Sequence, residues 1–421
     1  MTAESVTNPT DLALRLLEIV LYEDITKKDP LKSLIRLLET EDDASQQDKM
    51  TLYRDFLGSL YNEGGDLGNY LLGQVRSADN IYVRLKAESK PIPASMQACF
   101  EREMETFTLL SKISSDQLLI LAGLDEDCPG YETTPFDFTQ RIPELLKDSS
   151  TYGYGMYARY SMFRVDKDGK IVPILSPDPI TIDQLIGYEQ ERGQVLNNVY
   201  ALLEGRPAAN MLLVGDAGTG KSSTVKAIVN QLCGKGVRLI EMRKDQLELL
   251  PDVSGQIASN PLKFIIFIDD LSFESEDPAF GALKAILEGS AAAKTPNAII
   301  CATSNRRHIV KETFSSREGD EIHRRDTIEE QTSLSARFGL TVLFVKPNKD
   351  LYLKIVKSLC QEAVQKHGAD KAKGVIMDDT ELFRRAEVFA IHKGGRSARV
   401  ARQFVDSLLS QGSILTEDQN D

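Results

Sequence analysis

Apolar positions recur along this chain with two different periods. Up to about residue 150 the spacing is helical. Ala13, Leu16, Leu17, Val20 and Leu21 fall at i, i+3, i+4, i+7 and i+8, and Leu31, Leu34, Ile35 and Leu38 follow Asp29-Pro30, an N-cap with proline at the first helical position. Tyr53, Phe56, Leu57, Leu60 and Tyr61 form a third face, two more helices are predicted around residues 70–86 and 96–113, and another starts near Ser114-Ser115. Residues 1–150 are therefore expected to form a helical N-terminal domain. Packing accounts for these faces; docking of a client is the alternative. Residues 125–150, rich in Pro, Asp, Thr and Ser, read as a linker.

Residues 151–178 read as hairpin and linker. A tyrosine-rich stretch, 152–160, leads into Ser161 to Val165, the turn Asp166-Lys167-Asp168-Gly169, and Lys170 to Leu175. These tyrosines with Arg159 and Arg164 would suit base stacking, but packing is the commoner reason for such a cluster. Near-continuous apolar runs then alternate with helical patterns: Met211 to Val214, Val237 to Met242, Phe264 to Ile268, Ala298 to Ala302 and Thr341 to Val345. Such runs predict an α/β core over residues 179–347, with a parallel five-stranded sheet covered on both faces. Residues 348–421 carry only helical patterns, read as three helices of a C-terminal helical lid.

Composition narrows the function classes. A formal charge of −13 over 421 residues argues against general affinity for nucleic acid, leaving only a local basic patch possible. The five cysteines are scattered without C-x-x-C spacing, so neither a disulfide framework nor a zinc site is expected. The polar start MTAESVTNPTD lacks a leader pattern and no apolar run is long enough to cross a bilayer, so a cytoplasmic protein without membrane contact is expected.

The candidate chemistry lies where the first strand of the core ends. Gly215-Asp216-Ala217-Gly218-Thr219-Gly220-Lys221-Ser222 is a G-x-x-x-x-G-K-[ST] sequence between that strand and a helix bearing Val225, Ile228, Val229 and Leu232. Glycines let successive backbone N–H groups, through Ser223, wrap around phosphates, with the helix N-terminus aimed at the same charge. Lys221 would pair with β- and γ-phosphates, and Ser222 would bind Mg²⁺. The strand Phe264 to Ile268 ends in Asp269-Asp270, which suits Asp269 to hold Mg²⁺ through water. Asp270 would then polarise the attacking water or cap the following segment, and Glu274, Glu276 and Asp277 compete for the base role. Asn305, after the next strand, would contact the γ-phosphate or orient the water, or serve only in a turn.

Together these residues resemble the AAA+ ATPases. Gly215 to Ser222 look like Walker A, Asp269-Asp270 like Walker B, Ala302 to Asn305 like sensor 1, Ser335 to Gly339 like the arginine-finger box, and Gly394 to Arg399 like the opening of sensor 2. Ile182 to Glu189 is similar to the entry motif that contacts adenine, which implies roles for Ile186 and Gly187. More narrowly, FIIFIDDLSFE, CATSNRRH, SLSARFGL and GGRSARVARQF resemble an uncharacterised bacterial family of predicted AAA+ ATPases, domain of unknown function 815. The resemblance implies ATP and Mg²⁺ as ligands. It implies Arg337 as a finger serving a neighbouring subunit, hence a homo-oligomeric ring or spiral, and either Arg396 or Arg399 as sensor 2. It implies remodelling of an unspecified client protein or partner. Asp270 stands where the superfamily usually has Glu, which leaves open an ATP-gated binding module with negligible turnover. Between Asn305 and Arg337 a long charged connection, helical around Asp326 to Gln331, is expected to face a neighbour or substrate.

Overall fold

Among the described residues the elements up to residue 160 are helices, and the named strands lie beyond it. The computed structural model describes residues 8–40, 44–125, 127–271, 281, 283–284, 287, 295–305 and 337–414. Glu274, Glu276, Asp277, the connection 306–336 with its expected helix at Asp326 to Gln331, and Ser335-Ala336 lie outside the described residues. The chain divides into two compact units, Met1–Tyr160 with Ser259–Leu262, and Ser161–Ala258 with Lys263–Asp421.

In the first unit the main helices are α1 (Pro9–Leu17), α2 (Leu31–Leu38), α3 (Gln46–Asn62), α4 (Leu67–Arg76), α5 (Ile81–Ala87), α6 (Ala94–Leu110), α7 (Ser115–Ala122) and α8 (Phe138–Lys147). They enclose a core that includes Leu12, Leu16, Tyr53, Phe56, Phe100, Phe107 and Phe138. Four boundaries differ from the periodic reading. α1 stops at Leu17, and Val20, expected on its apolar face, is 66% exposed. The cause is Glu103 on α6: its buried carboxylate accepts the N–H groups of Val20, Leu21 and Tyr22 at 2.8, 2.9 and 3.1 Å, which draws this segment out of helical bonding. Pro30 is the cap of α2 rather than its first residue, and Asp29 instead accepts from the Ser33 N–H and hydroxyl. The run 70–86 is two helices, because the Asn80 side chain accepts the Val83 N–H and starts a new one. The supposed linker contains α8, capped by Asp137, with Phe138 and Ile142 buried. Of the tyrosine-rich stretch, Tyr154 and Tyr157 are buried.

Glu103 gives a stability prediction. Glu103→Ala leaves three backbone donors without their acceptor, so equilibrium unfolding in urea is expected to show a loss on the order of 3 kcal/mol. An unchanged midpoint would contradict this.

The second unit is built on one sheet of β1 (Met162–Val165), β2 (Ile171–Pro173), β3 (Met211–Gly215), β4 (Val237–Met242), β5 (Lys263–Ile268), β6 (Ala298–Ser304) and β7 (Leu340–Phe344). Their order is β2-β1-β4-β5-β6-β3-β7, so the sheet has seven strands instead of the expected five. The difference comes from the hairpin. β1 pairs antiparallel with β2 and also parallel with β4, Met162 opposite Leu239. A two-stranded hairpin is marginal by itself, and the open edge of β4 offers it a second ladder. All other pairings are parallel.

Helices α9 (Glu189–Leu203), α10 (Lys221–Leu232) and α11 (Leu250–Ile257) alternate with the strands. Val195, Val199, Val225, Ile228 and Val229 of α9 and α10 pack on Met211, Leu213, Leu239, Ile265 and Cys301, which all face one side of the sheet. After β7 come α12 (Lys349–Lys371, interrupted at Gly368), α13 (Asp379–His392) and α14 (Ala398–Ile414). These share their own core of Tyr352, Ile355, Val356, Ala386, Ala401 and Phe404.

Candidate functional site

The strand order brings the candidate residues together. β6 lies between β5 and β3, with Ile268 opposite Ala302 and Val214 opposite Ser304. The three chains therefore leave the sheet side by side at their carboxyl ends: β5 into Asp269, β6 into Asn305, and β3 into the loop from Gly215. In parallel sheets this edge is where ligands bind.

The loop's geometry demands its glycines. Gly215 has φ +146°, and a Cβ there would lie 1.9 Å from the Phe344 carbonyl oxygen of β7. Gly218 has φ +78°, and a Cβ would meet Ser397 Oγ and Arg399 Cβ at 3.0 Å. The Gly218 carbonyl accepts the Ala398 N–H at 3.1 Å, which ties the loop to the first turn of α14. Gly220, in the left-handed region, precedes Lys221, the first residue of α10.

Lys221 is buried, and its ammonium donates to the carbonyls of Gly215 and Asp216, both at 2.8 Å, and to Asn305 Oδ1 at 3.0 Å. Burial pulls it below the usual lysine range, and the carboxylates of Asp269, Asp216 and Asp270 oppose that shift. Asn305 donates its amide N–H to Asp270 Oδ1 at 2.7 Å, so one side chain links the ammonium to a carboxylate. The Ser222 hydroxyl donates to Asp269 Oδ1 at 2.6 Å. Asp270 stands in the left-handed region at φ +53°, which Asp is one of the few non-glycine residues to adopt.

A cavity of about 620 Å³ opens over these groups. Its polar wall comprises Ala217 to Thr224, Asp269, Asp270, Thr303 and Asn305, so Ser223 belongs to it. Its apolar wall includes Ile180, then Ile186 and Gly187 from the entry segment, and Ile355 and Leu359 from α12. This size and mixed lining suit a small ligand with one polar and one apolar end. The entry segment is held by Tyr188, whose hydroxyl donates to Val345 O at 2.6 Å, and by Arg192, which donates to the carbonyls of Ile182 and Leu185.

The two candidate arginines separate. Arg399 lines the cavity together with Arg402, whereas Arg396 makes a two-pronged ion pair with Glu387 at 2.6 and 2.8 Å. Arg337 is half-buried just before β7 and is not among the cavity residues.

Three contributors escape a reading of the sequence. Arg192 and Arg402 are helical arginines without any local signature. Thr303 is part of the ATSN stretch, but its contacts depend on the β5–β6 register, which no local pattern states.

Residues 158–412 match the model of the family described as "Protein of unknown function (DUF815)". The chain belongs to the DUF815 family. No curated protein matches it. Among the described residues of this DUF815 protein, no helix is long and apolar enough to cross a membrane. Nor do the described residues include a group of three or more His, Cys, Asp or Glu side chains suited to hold a metal. A divalent ion here would draw instead on the Ser222 hydroxyl, on water and on phosphate oxygens, with Asp269 close by. That donor set fits Mg²⁺, which keeps several waters and uses few carboxylates.

Proposed function

We propose that this DUF815 protein is a Mg²⁺-dependent ATPase of the AAA+ type. The observation that carries the reading is the convergence of the Lys221 ammonium, the Ser222–Asp269 pair and the Asn305–Asp270 pair on the glycine-rich loop at the N-terminus of α10. Backbone N–H groups and the helix dipole at that point favour a polyphosphate. The apolar wall of Ile180, Ile186, Ile355 and Leu359 suits a flat base, which Ile186 and Gly187 would contact.

In this account the γ-phosphate competes for Lys221 and Asn305, which frees Asp270 from the Asn305 amide. Asp270 then takes a proton from water as the water oxygen bonds to the γ-phosphorus. The bond from that phosphorus to the bridging oxygen breaks, leaving ADP and inorganic phosphate. Ser222 and Asp269 would hold Mg²⁺, which when bound neutralises charge on the phosphate oxygens. Arg399, at the cavity wall on the first turn of α14, takes the sensor 2 role in preference to Arg396, which is engaged by Glu387. Arg337 acts on the ATP of a neighbouring copy, so the active form is a homo-oligomeric ring or spiral in the cytoplasm, acting on a client protein. The charge of −13 disfavours nucleic acid as that client.

One observation supports a second reading, an ATP-gated binding module with little turnover. Asp270 is one methylene shorter than Glu and is held by Asn305. Steady-state phosphate release across protein concentrations separates the two. For the ATPase, specific activity rises with concentration, is lost in Lys221→Ala and in Arg337→Ala, and is partly restored when the variants are mixed. ATP binding without turnover at any concentration would favour the module, and absence of binding would overturn both.

A further inference from the structure

We infer that Thr303, which lies in the sensor 1-like stretch beside Asn305 but was given no task there, is the positioning residue that sets both carboxylates of the site; the inference rests on the ATPase reading. Its hydroxyl is buried at the end of β6 and works in two directions. It donates to Asp269 Oδ1 at 2.6 Å and accepts the Asp270 N–H at 2.9 Å. The next backbone unit closes the same clamp: Leu271 N–H donates to the Thr303 carbonyl at 2.7 Å.

Two consequences follow from these bonds. Asp269 Oδ1 accepts from Ser222, from Thr303 and, at 3.2 Å, from the Asp270 N–H, so this oxygen is fully engaged. Among the described residues Oδ2 accepts no hydrogen bond, which leaves it as the oxygen to face a water of a bound ion. Because Ser222 spends its proton on Asp269, its oxygen lone pairs remain for the ion itself. On the other side, the left-handed backbone at Asp270 carries a modest cost even for Asp, and the Thr303 hydroxyl on its N–H helps to hold it. One hydroxyl therefore fixes the metal-side acid and aims the water-side acid. With its proton on Asp269 and a lone pair on the Asp270 N–H, this hydroxyl acts through the two aspartates.

Outer contacts of this kind typically change metal affinity by about 10- to 100-fold when removed. The test uses the full chain and equilibrium binding of a fluorescent ATP analogue, in saturating Mg²⁺ and in EDTA, for the wild type, Thr303→Val and Thr303→Ser. Valine keeps the shape and removes the hydroxyl; serine keeps the hydroxyl. In Thr303→Val the strengthening of nucleotide binding by Mg²⁺ is expected to fall about 10-fold or more, with affinity in EDTA unchanged, and Thr303→Ser to retain most of it. An unchanged Mg²⁺ effect in Thr303→Val would overturn the inference, as would equal loss of affinity in EDTA, which marks a merely structural role. If the wild type binds no nucleotide in either condition, the ATPase reading itself falls, and this inference with it.

Discussion

Lys221→Ala is expected to weaken Mg-ATP binding by on the order of 10²-fold and to bring phosphate release to background. The Lys221 ammonium touches both the loop carbonyls and Asn305, and the residue is only 5% exposed, so in the proposed site it is the positive charge that meets the phosphate. Its present partners are neutral oxygens, so a phosphate offers a stronger one. Exchanging three neutral acceptors for a charged one is worth about 2 to 3 kcal/mol, which is the expected loss. Alanine is a good helix former at the start of α10, so the fold should survive. The measurement is a nucleotide titration paired with a thermal melt. Affinity within about threefold of wild type would contradict the role given to Lys221.

Asp270→Asn is expected to separate binding from turnover. Asparagine keeps the size and tolerates the left-handed backbone at φ +53°, so the site should assemble. It cannot accept the proton that leaves the attacking water. Losing a general base costs about 10² to 10⁴ in rate, so phosphate release should fall by at least two orders of magnitude while ATP affinity stays near wild type. Turnover at the wild-type rate would move the base elsewhere, and Glu274 is the first place to look.

Much of this arrangement was legible because it is local. Continuous runs such as Phe264 to Ile268 have little alternative to a buried parallel strand, and the glycine spacing around Lys221 specifies its own loop. What escaped the sequence depends on partners distant along the chain. The hairpin joins the sheet only because β4 leaves an edge beside it, and α1 ends early only because Glu103 on another helix claims its next N–H groups. Residues 125–150 looked like a linker because Pro, Asp and Thr dominate them, yet two buried side chains, Phe138 and Ile142, suffice to dock α8. Arg396 and Arg399 were indistinguishable in GGRSAR. They separate once α13 presents Glu387 to the first and the Gly218 contact carries the second to the cavity.

The most direct test of the central claim is an equilibrium titration of the wild-type chain with ATP, with and without Mg²⁺, against GTP as competitor. The account predicts saturable binding of one ATP per chain, strengthened by Mg²⁺ and poorly displaced by GTP. A chain that shows no saturable ATP binding in either condition would contradict it.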